Sequence, residues 1–355
     1  MVVKKSTQKK AVQKKSRGTP AKTKKAAKTQ TAKAVKSKTV KAVKAKVALA
    51  IKTAKSSSAE EVLNAEAAAT LNTQERREVL HEISDLKEKL RHRRIHGNED
   101  KKKIARDMLE RYTGHDIKDF QKQIILTNFH YYVERFNVLL PDAHYTQGSA
   151  FKASSSKKAQ VTIIEFGVGS AMAALIGELL AVIEPKAVLF LGLAGGVHPS
   201  LDVGDFVLPI ASIRGEGVTQ HFLPEQVPAL PTFKVQKFVS QILVEHGLEY
   251  RTGTIHSTDY RFWEFDDRFK LNLLEQRVLA VEMETAALFV SCFVSKVNIG
   301  ALLLISDCPL KEGGIKTKQS AKAVFRKFTD VHIELGIEAM ADIAERGEAI
   351  RHYQW

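Results

Sequence analysis

Two short apolar runs in this 355-residue sequence end abruptly in carboxylates. Val278–Thr285 reads V-L-A-V-E-M-E-T, and Leu302–Pro309 reads L-L-L-I-S-D-C-P, with one helix's worth of chain between them. Each run has the length and apolarity of a buried parallel strand. Open α/β sheets seat ligands at the carboxyl ends of their strands, so acids emerging there are placed to do chemistry. One carboxylate could hold hydroxyl groups while the other moves a proton. On spacing alone, the pattern fits equally well two core strands with solvated acidic ends.

Two glycine-rich segments accompany these acids. Phe166–Ser170, F-G-V-G-S, is a turn between a strand and a helix, with Gly167 and Gly169 in the turn. Ser170 is positioned to cap the helix, whose free amides would suit an anion. The segment lacks the third glycine of a dinucleotide fingerprint and the Lys of a P-loop, so a plain tight turn explains it as well. Leu189–Val197, L-F-L-G-L-A-G-G-V, is a buried strand expected to run into a bend at Gly195 and Gly196. Glycines there permit positive φ and close approach of a ligand to the backbone. No Arg, Ser or Thr inside this bend could grip a free phosphate.

The elements that must position these residues alternate. Strands are expected at 123–129, 161–167, 187–192, 205–212, 251–257, 278–284 and 300–307. Helices are expected at about 131–138, 170–183, 234–246, 262–275, 285–296 and 319–345. This alternation predicts an α/β fold, a mostly parallel mixed sheet flanked by helices on both faces. The expected domain is 105–355, long enough for a full core. Before it, 59–104 reads as a helical linker or oligomerisation segment, with Val79, Leu80, Ile83, Leu86 and Leu90 at helical spacing.

The net charge of +15 is misleading about this body. Residues 1–55 hold 18 Lys and Arg17 and no acid, a charge of +19 against +15 for the whole, which leaves −4 for the rest. The tail, 1–58, is built of Lys, Ala, Thr, Ser and Val and lacks the apolar surface to offset its ordering entropy, so disorder is expected. Its Ala-Lys repeats resemble linker-histone and bacterial histone-like tails. They would attract nucleic acid or another polyanion by counterion release, or serve simply as a solubilising extension. Cys292 and Cys308, without any CxxC or Cys/His cluster, support neither a disulfide framework nor a zinc site. No signal peptide or uninterrupted apolar span appears, so a cytoplasmic location is the expectation.

Several motifs together carry a family resemblance. G-L-A-G-G-V-H-P-S-L-D-V-G-D-F-V-L-P, V-E-M-E-T-A-A and I-S-D, in this order, resemble the purine nucleoside phosphorylase and uridine phosphorylase superfamily. I-R-G-E-G-V-T-Q-H-F-L-P, T-G-T-I-H-S-T-D-Y-R-F-W-E and S-D-C-P-L-K-E-G-G-I-K-T-K are similar to the AMP nucleosidase family within it. The resemblance runs from about Ala105 to Ala344.

It implies cleavage of the N-glycosidic bond of AMP, giving adenine and ribose 5-phosphate, with no organic cofactor and no metal. It also implies hexamers in which neighbouring subunits complete each site. Met283 and Glu284 would lie beneath the ribose, with Glu284 accepting from the 2′- and 3′-hydroxyls. Asp307, oriented by Ser306, would protonate N7 of the purine, which requires a raised pKa. Glu282 is expected to be structural. The family's phosphorylases hold phosphate with an Arg at the entry of the glycine bend and a Ser or Thr within it. Here those positions are Phe190 and Leu193, so water is the expected nucleophile.

Its activating group falls to Asn128 or Glu134, or else water attacks a highly developed cation with little base assistance. Candidates for a 5′-phosphate clamp are Arg111, Arg214, Arg261 and Lys316, since Arg offers a planar fork and Lys a point charge. Where related enzymes place S-G-D-x-F at the base pocket, this chain has S-T-D-Y-R-F, which makes Phe262 and Trp263 the candidates to pack on the purine. A purine nucleoside hydrolase or phosphorylase is the enzymatic alternative. A nucleic-acid-associated protein working through its tail is the non-enzymatic one.

Overall fold

The computed structural model describes residues 99–346, together with Gln74 and His81. The expected basic tail, 1–58, and most of the expected helical segment, 59–104, lie outside the described residues. The chain divides after Arg94, and every element below belongs to the unit 95–355.

The first described helix, α1, spans Glu99–Thr113. Nine strands follow among the described residues: β1 Gln123–Thr127, β2 His144–Gln147, β3 Lys152–Ser156, β4 Val161–Glu165, β5 Ala187–Gly196, β6 Phe206–Gly215, β7 Tyr250–Thr258, β8 Ala280–Glu282 and β9 Ile299–Asp307. Between and after them come α2 His130–Leu139, α3 Ser170–Leu179, α4 Phe233–Glu245, α5 Asp267–Glu275, α6 Thr285–Val294, α7 Lys318–Lys327 and α8 Thr329–Arg346. The strand order is β2-β3-β4-β1-β5-β8-β7-β6-β9, and β9 returns to pair with β5. Strands β5, β8, β7, β6 and β9 therefore close into a ring, and the other four extend from β5 as an open wing.

The central strands are apolar on both sides because both faces are covered. Successive side chains point to opposite faces of a strand. Ile124, Leu126, Val188, Phe190, Leu303 and Ile305 fall in one apolar cluster, and Ile125, Leu189, Leu191, Leu302 and Leu304 in the other. Helices α3 and α6 cover the first face through residues such as Ile176, Leu179, Leu288 and Phe289. Helices α4 and α8 cover the second through Val235, Phe238, Ile333 and Met340. Close approach of α3 to α6 depends on Gly177, where a Cβ would overlap the Ser291 hydroxyl.

Three expectations about elements are corrected. The β2–β3 hairpin is absent from the sequence reading because K-A-S-S-S carries no apolar alternation. Its serines are nevertheless buried, satisfied by Asn137, Asp142, His115 and Thr162. The helix expected at 262–275 begins only at Asp267, where the Asp266 carboxylate caps it by accepting from Phe269 N at 3.0 Å. The bend expected at Gly195 and Gly196 is instead a continuation of β5 through Gly196, and none of Gly192, Gly195 and Gly196 takes a positive φ. Their lack of a side chain serves proximity: a Cβ on Gly192 would sit 2.6 Å from the Phe190 ring.

Candidate active site

Strand pairing brings the two acid-ended runs together. Gly195 of β5 is in register with Val281 of β8 on one side and with Asp307 of β9 on the other, just past a bulge at Ala194/Gly195. A Cβ at Gly195 would lie in ordinary contact with Asp307 Oδ2, at 3.7 Å, and with the Pro309 ring, at 3.4 Å. Gly196 is tighter, since a Cβ there would lie 3.3 Å from Cys308 Sγ.

Asp307 is buried, 8% exposed. The Ser306 hydroxyl donates to its Oδ1 at 2.6 Å, and Lys316 Nζ donates to Ser306 Oγ at 3.0 Å. Burial pushes the Asp307 carboxyl above its ordinary range, Ser306 and Lys316 oppose that shift, and the Glu264 charge adds to it. The same burial lowers the Lys316 ammonium, while Asp307 holds it up.

On the other side, Glu282 and Glu284 are both buried. Glu282 accepts from the Ser257 hydroxyl and from the backbone amides of Glu284 and Thr285, both at 2.7 Å. It therefore anchors the first turn of α6, a structural role. Glu284 accepts from Gly169 N at 2.7 Å and from the Asn128 side-chain amide. Burial first, and the neighbouring Glu282 charge second, push Glu284 up to about 8.

The turn that supplies Gly169 is strained in the way only glycine tolerates, with φ of +88° at Gly167 and +97° at Gly169 and open space above both. Gly169, not Ser170, is the N-cap of α3. Ser170 is the first helical residue, and its hydroxyl donates to Asp259, which also accepts from Gly217 N at 3.0 Å.

The end of β1 links the two halves. Asn128 bonds Glu284, and the next ring, Phe129, lies 5.9 Å from Lys316 Nζ. Met283 is half-buried beside Glu284. The Asn128 Oδ1 is buried and has no partner. Glu134 is not brought here; its side chain is 60% exposed on α2 and pairs with His130 at 3.5 Å.

The expected phosphate clamp separates. Arg214 donates to the Thr219 hydroxyl and to the carbonyls of Leu223, Pro224 and Val227, so its fork organises the loop after β6. Arg111 lies in the last turn of α1 and pairs with Asp107 at 3.0 Å. Only Arg261 and Lys316 stand near Asp307, where each affects its ionisation. Arg261 also donates to Glu264 at 2.6 Å, an acid that the sequence reading did not single out. Of the two aromatic candidates, Phe262 is 66% exposed, whereas Trp263 packs inward with Val197, Leu273, Val278 and Val281. The apolar positions of the former bend remain apolar inside the core: Phe190 is fully buried against Phe166, and Leu193 is nearly so.

The mixed α/β sheet thus carries buried acids at the ends of β8 and β9, one on each side of β5. The family model described as the phosphorylase superfamily matches residues 116–340, and the chain belongs to that superfamily. The AMP nucleosidase of Escherichia coli (strain K12) is 29% identical over 288 residues, covering 68% of this chain and 59% of its own. The chain thus spans about three fifths of the length of the curated AMP nucleosidases it matches. The crystal structure of AMP nucleosidase from Bacteroides thetaiotaomicron superposes with a TM-score of 0.62 at 39% identity, covering 70% of this chain and 99% of that one. A purine nucleoside phosphorylase structure from Toxoplasma gondii, at 20% identity and a TM-score of 0.58, shares the fold over 65% of this chain and 95% of its own.

Proposed function

We propose that this chain is an N-ribosyl hydrolase that splits AMP into adenine and ribose 5-phosphate, with Glu284 holding the sugar and Asp307 protonating the base. The observation that carries this reading is the Asp307 carboxyl. It is buried, oriented by Ser306 and raised in pKa, across Gly195 from the run that ends in Glu284. Similarity to AMP nucleosidases over most of the described residues supports the choice of nucleotide.

Breaking an N-glycosidic bond builds cationic character on the sugar and negative charge on the departing base. A protonated Asp307 gives its proton to N7 as the C1′–N9 bond breaks, and such acid catalysis is worth about 10²–10⁴-fold. Glu284, ionised in the complex, accepts the two ribose hydroxyls and sets negative charge beneath the sugar.

Water is the nucleophile in this reading because the two positions that hold phosphate in the family's phosphorylases are here the buried hydrocarbon side chains Phe190 and Leu193. Phosphate desolvated there would lose its hydration without gaining a cationic partner. Asn128 is oriented by donating to Glu284, which leaves its unpartnered Oδ1 to hold the attacking water. An amide oxygen orients water without deprotonating it, so the water adds to a developed cation and then loses its proton to solvent. The lysine-rich residues 1–55 are assigned to polyanion contact, and their deletion should leave turnover intact.

The test is product analysis with AMP, adenosine, and adenosine plus phosphate. Adenine and ribose 5-phosphate from AMP without added phosphate are expected, and ribose 1-phosphate would overturn the hydrolase reading. Asp307→Asn should lower kcat by about 10²-fold or more. Undiminished cleavage would remove Asp307 from its role.

A further inference from the structure

Glu264 is a buried acid that the reaction above does not use. It is 6% exposed, in the short 3-10 turn Trp263–Phe265. Its Oε1 accepts from Arg261 at 2.6 Å, while Oε2 is buried and has no hydrogen-bond partner. A carboxylate oxygen withdrawn from water without a donor is costly, so a donor arriving from outside would be strongly favoured.

The position of Glu264 limits what that donor is. Trp263, its chain neighbour, shares an apolar cluster with Val197 and Val281, against which Leu310 packs. Val197 directly follows Gly196, Val281 precedes Glu282 and Leu310 lies three positions beyond Asp307, so this turn packs beside the strand ends that carry the site. The Glu264 charge also reaches Asp307, whose carboxyl it raises. If Asp307 meets N7, the nearest other polar edge of a purine is at C6.

A 6-amino group carries two N–H donors, one on the N7 side and one on the N1 side. A 6-oxo group offers only lone pairs on the N7 side, which a carboxylate repels, and the N1–H of such a base points away from that side.

We propose that Glu264 Oε2 accepts the N7-side hydrogen of the exocyclic amino group and thereby selects 6-aminopurines over 6-oxopurines. Arg261 holds the other oxygen and fixes the carboxylate plane. Glu264 is a specificity-determining residue, and this inference rests on the proposed AMP reaction.

The test uses the full chain and two variants, with kcat and KM measured for AMP and IMP. The wild type should prefer AMP. Glu264→Gln keeps an acceptor for Arg261 but turns an amide N–H toward C6. It should narrow the AMP:IMP ratio of kcat/KM by about 10–100-fold, since a site built to bond one group rejects its replacement strongly. Glu264→Asp, one methylene shorter, should narrow the ratio as well if the glutamine variant does not fold. A ratio unchanged in the folded variants, even with both rates reduced, would make Glu264 merely structural and overturn the inference. Calorimetric binding of free adenine and hypoxanthine separates this from the reaction itself. If the wild type cleaves no AMP, the proposed function falls, and the Glu264 assignment then stands only if adenine binds more tightly than hypoxanthine. Equal binding overturns it.

Discussion

The Glu282 carboxylate accepts the backbone amide of Glu284 at 2.7 Å, so the first acid of V-E-M-E holds the second in place. It takes the Thr285 amide and the Ser257 hydroxyl as well, and Ser257 in turn accepts from Ala286 N at 2.8 Å. Glu284, by contrast, keeps one oxygen on Gly169 and faces the site.

Replacing Glu282 with Gln leaves one acceptor oxygen and places an NH₂ against donors. We expect a loss of about 1–3 kcal/mol in stability, the cost of an unpaired buried donor, read from denaturant melts. Removing the Glu282 charge should also lower the pKa of Glu284, so the pH profile of KM would move to lower pH.

Glu284 itself predicts a pH dependence. Its carboxyl sits at about 8 and is protonated at neutral pH, whereas ribose hydroxyls donate best to the ionised form. KM for AMP should therefore fall as pH rises from about 7 to 9. Stability runs the other way. The folded state holds this proton more tightly than the unfolded chain, so the contribution is full below the ordinary carboxylate range and declines as pH rises toward 8. Glu284→Gln should flatten both profiles.

Arg214 is bound to its own loop, and its removal should act on stability. Arg214→Met leaves the Leu223, Pro224 and Val227 carbonyls without their donor and should cost about 2–3 kcal/mol in thermal or chemical melts. The AMP-to-adenosine ratio of kcat/KM should stay within about twofold of wild type, since an Arg–phosphate contact worth 1.4 kcal/mol would change it tenfold. A collapse of that ratio would restore Arg214 to the phosphate.

His332 is fully buried, with Tyr132 OH 2.8 Å from its Nδ1 and the Leu302 carbonyl 3.0 Å from its Nε2. Burial drives its pKa down to about 3. Because the unfolded imidazole titrates near 6.5, this stability is full above about 6.5 and is lost as pH falls toward 3. Tyr132→Phe should cost about 1–3 kcal/mol by leaving Nδ1 unpaired, with kcat unchanged.

By itself the sequence determined that apolar strands alternate with helices, and that two of those strands end in V-E-M-E and I-S-D. Hydropathy and chain order are local properties, and motif identity needs no partner to be legible. The β2–β3 serines escaped because their burial depends on hydroxyl partners up to 40 residues away, such as His115 for Ser155. The tertiary structure alone decided which charged group meets which. It closed β5 to both β8 and β9 around Gly195, gave Arg214 to loop carbonyls, turned Trp263 into the core and paired Arg261 with Glu264. A charged side chain's role follows from its partners, and those partners are fixed by strand pairing and packing between distant segments.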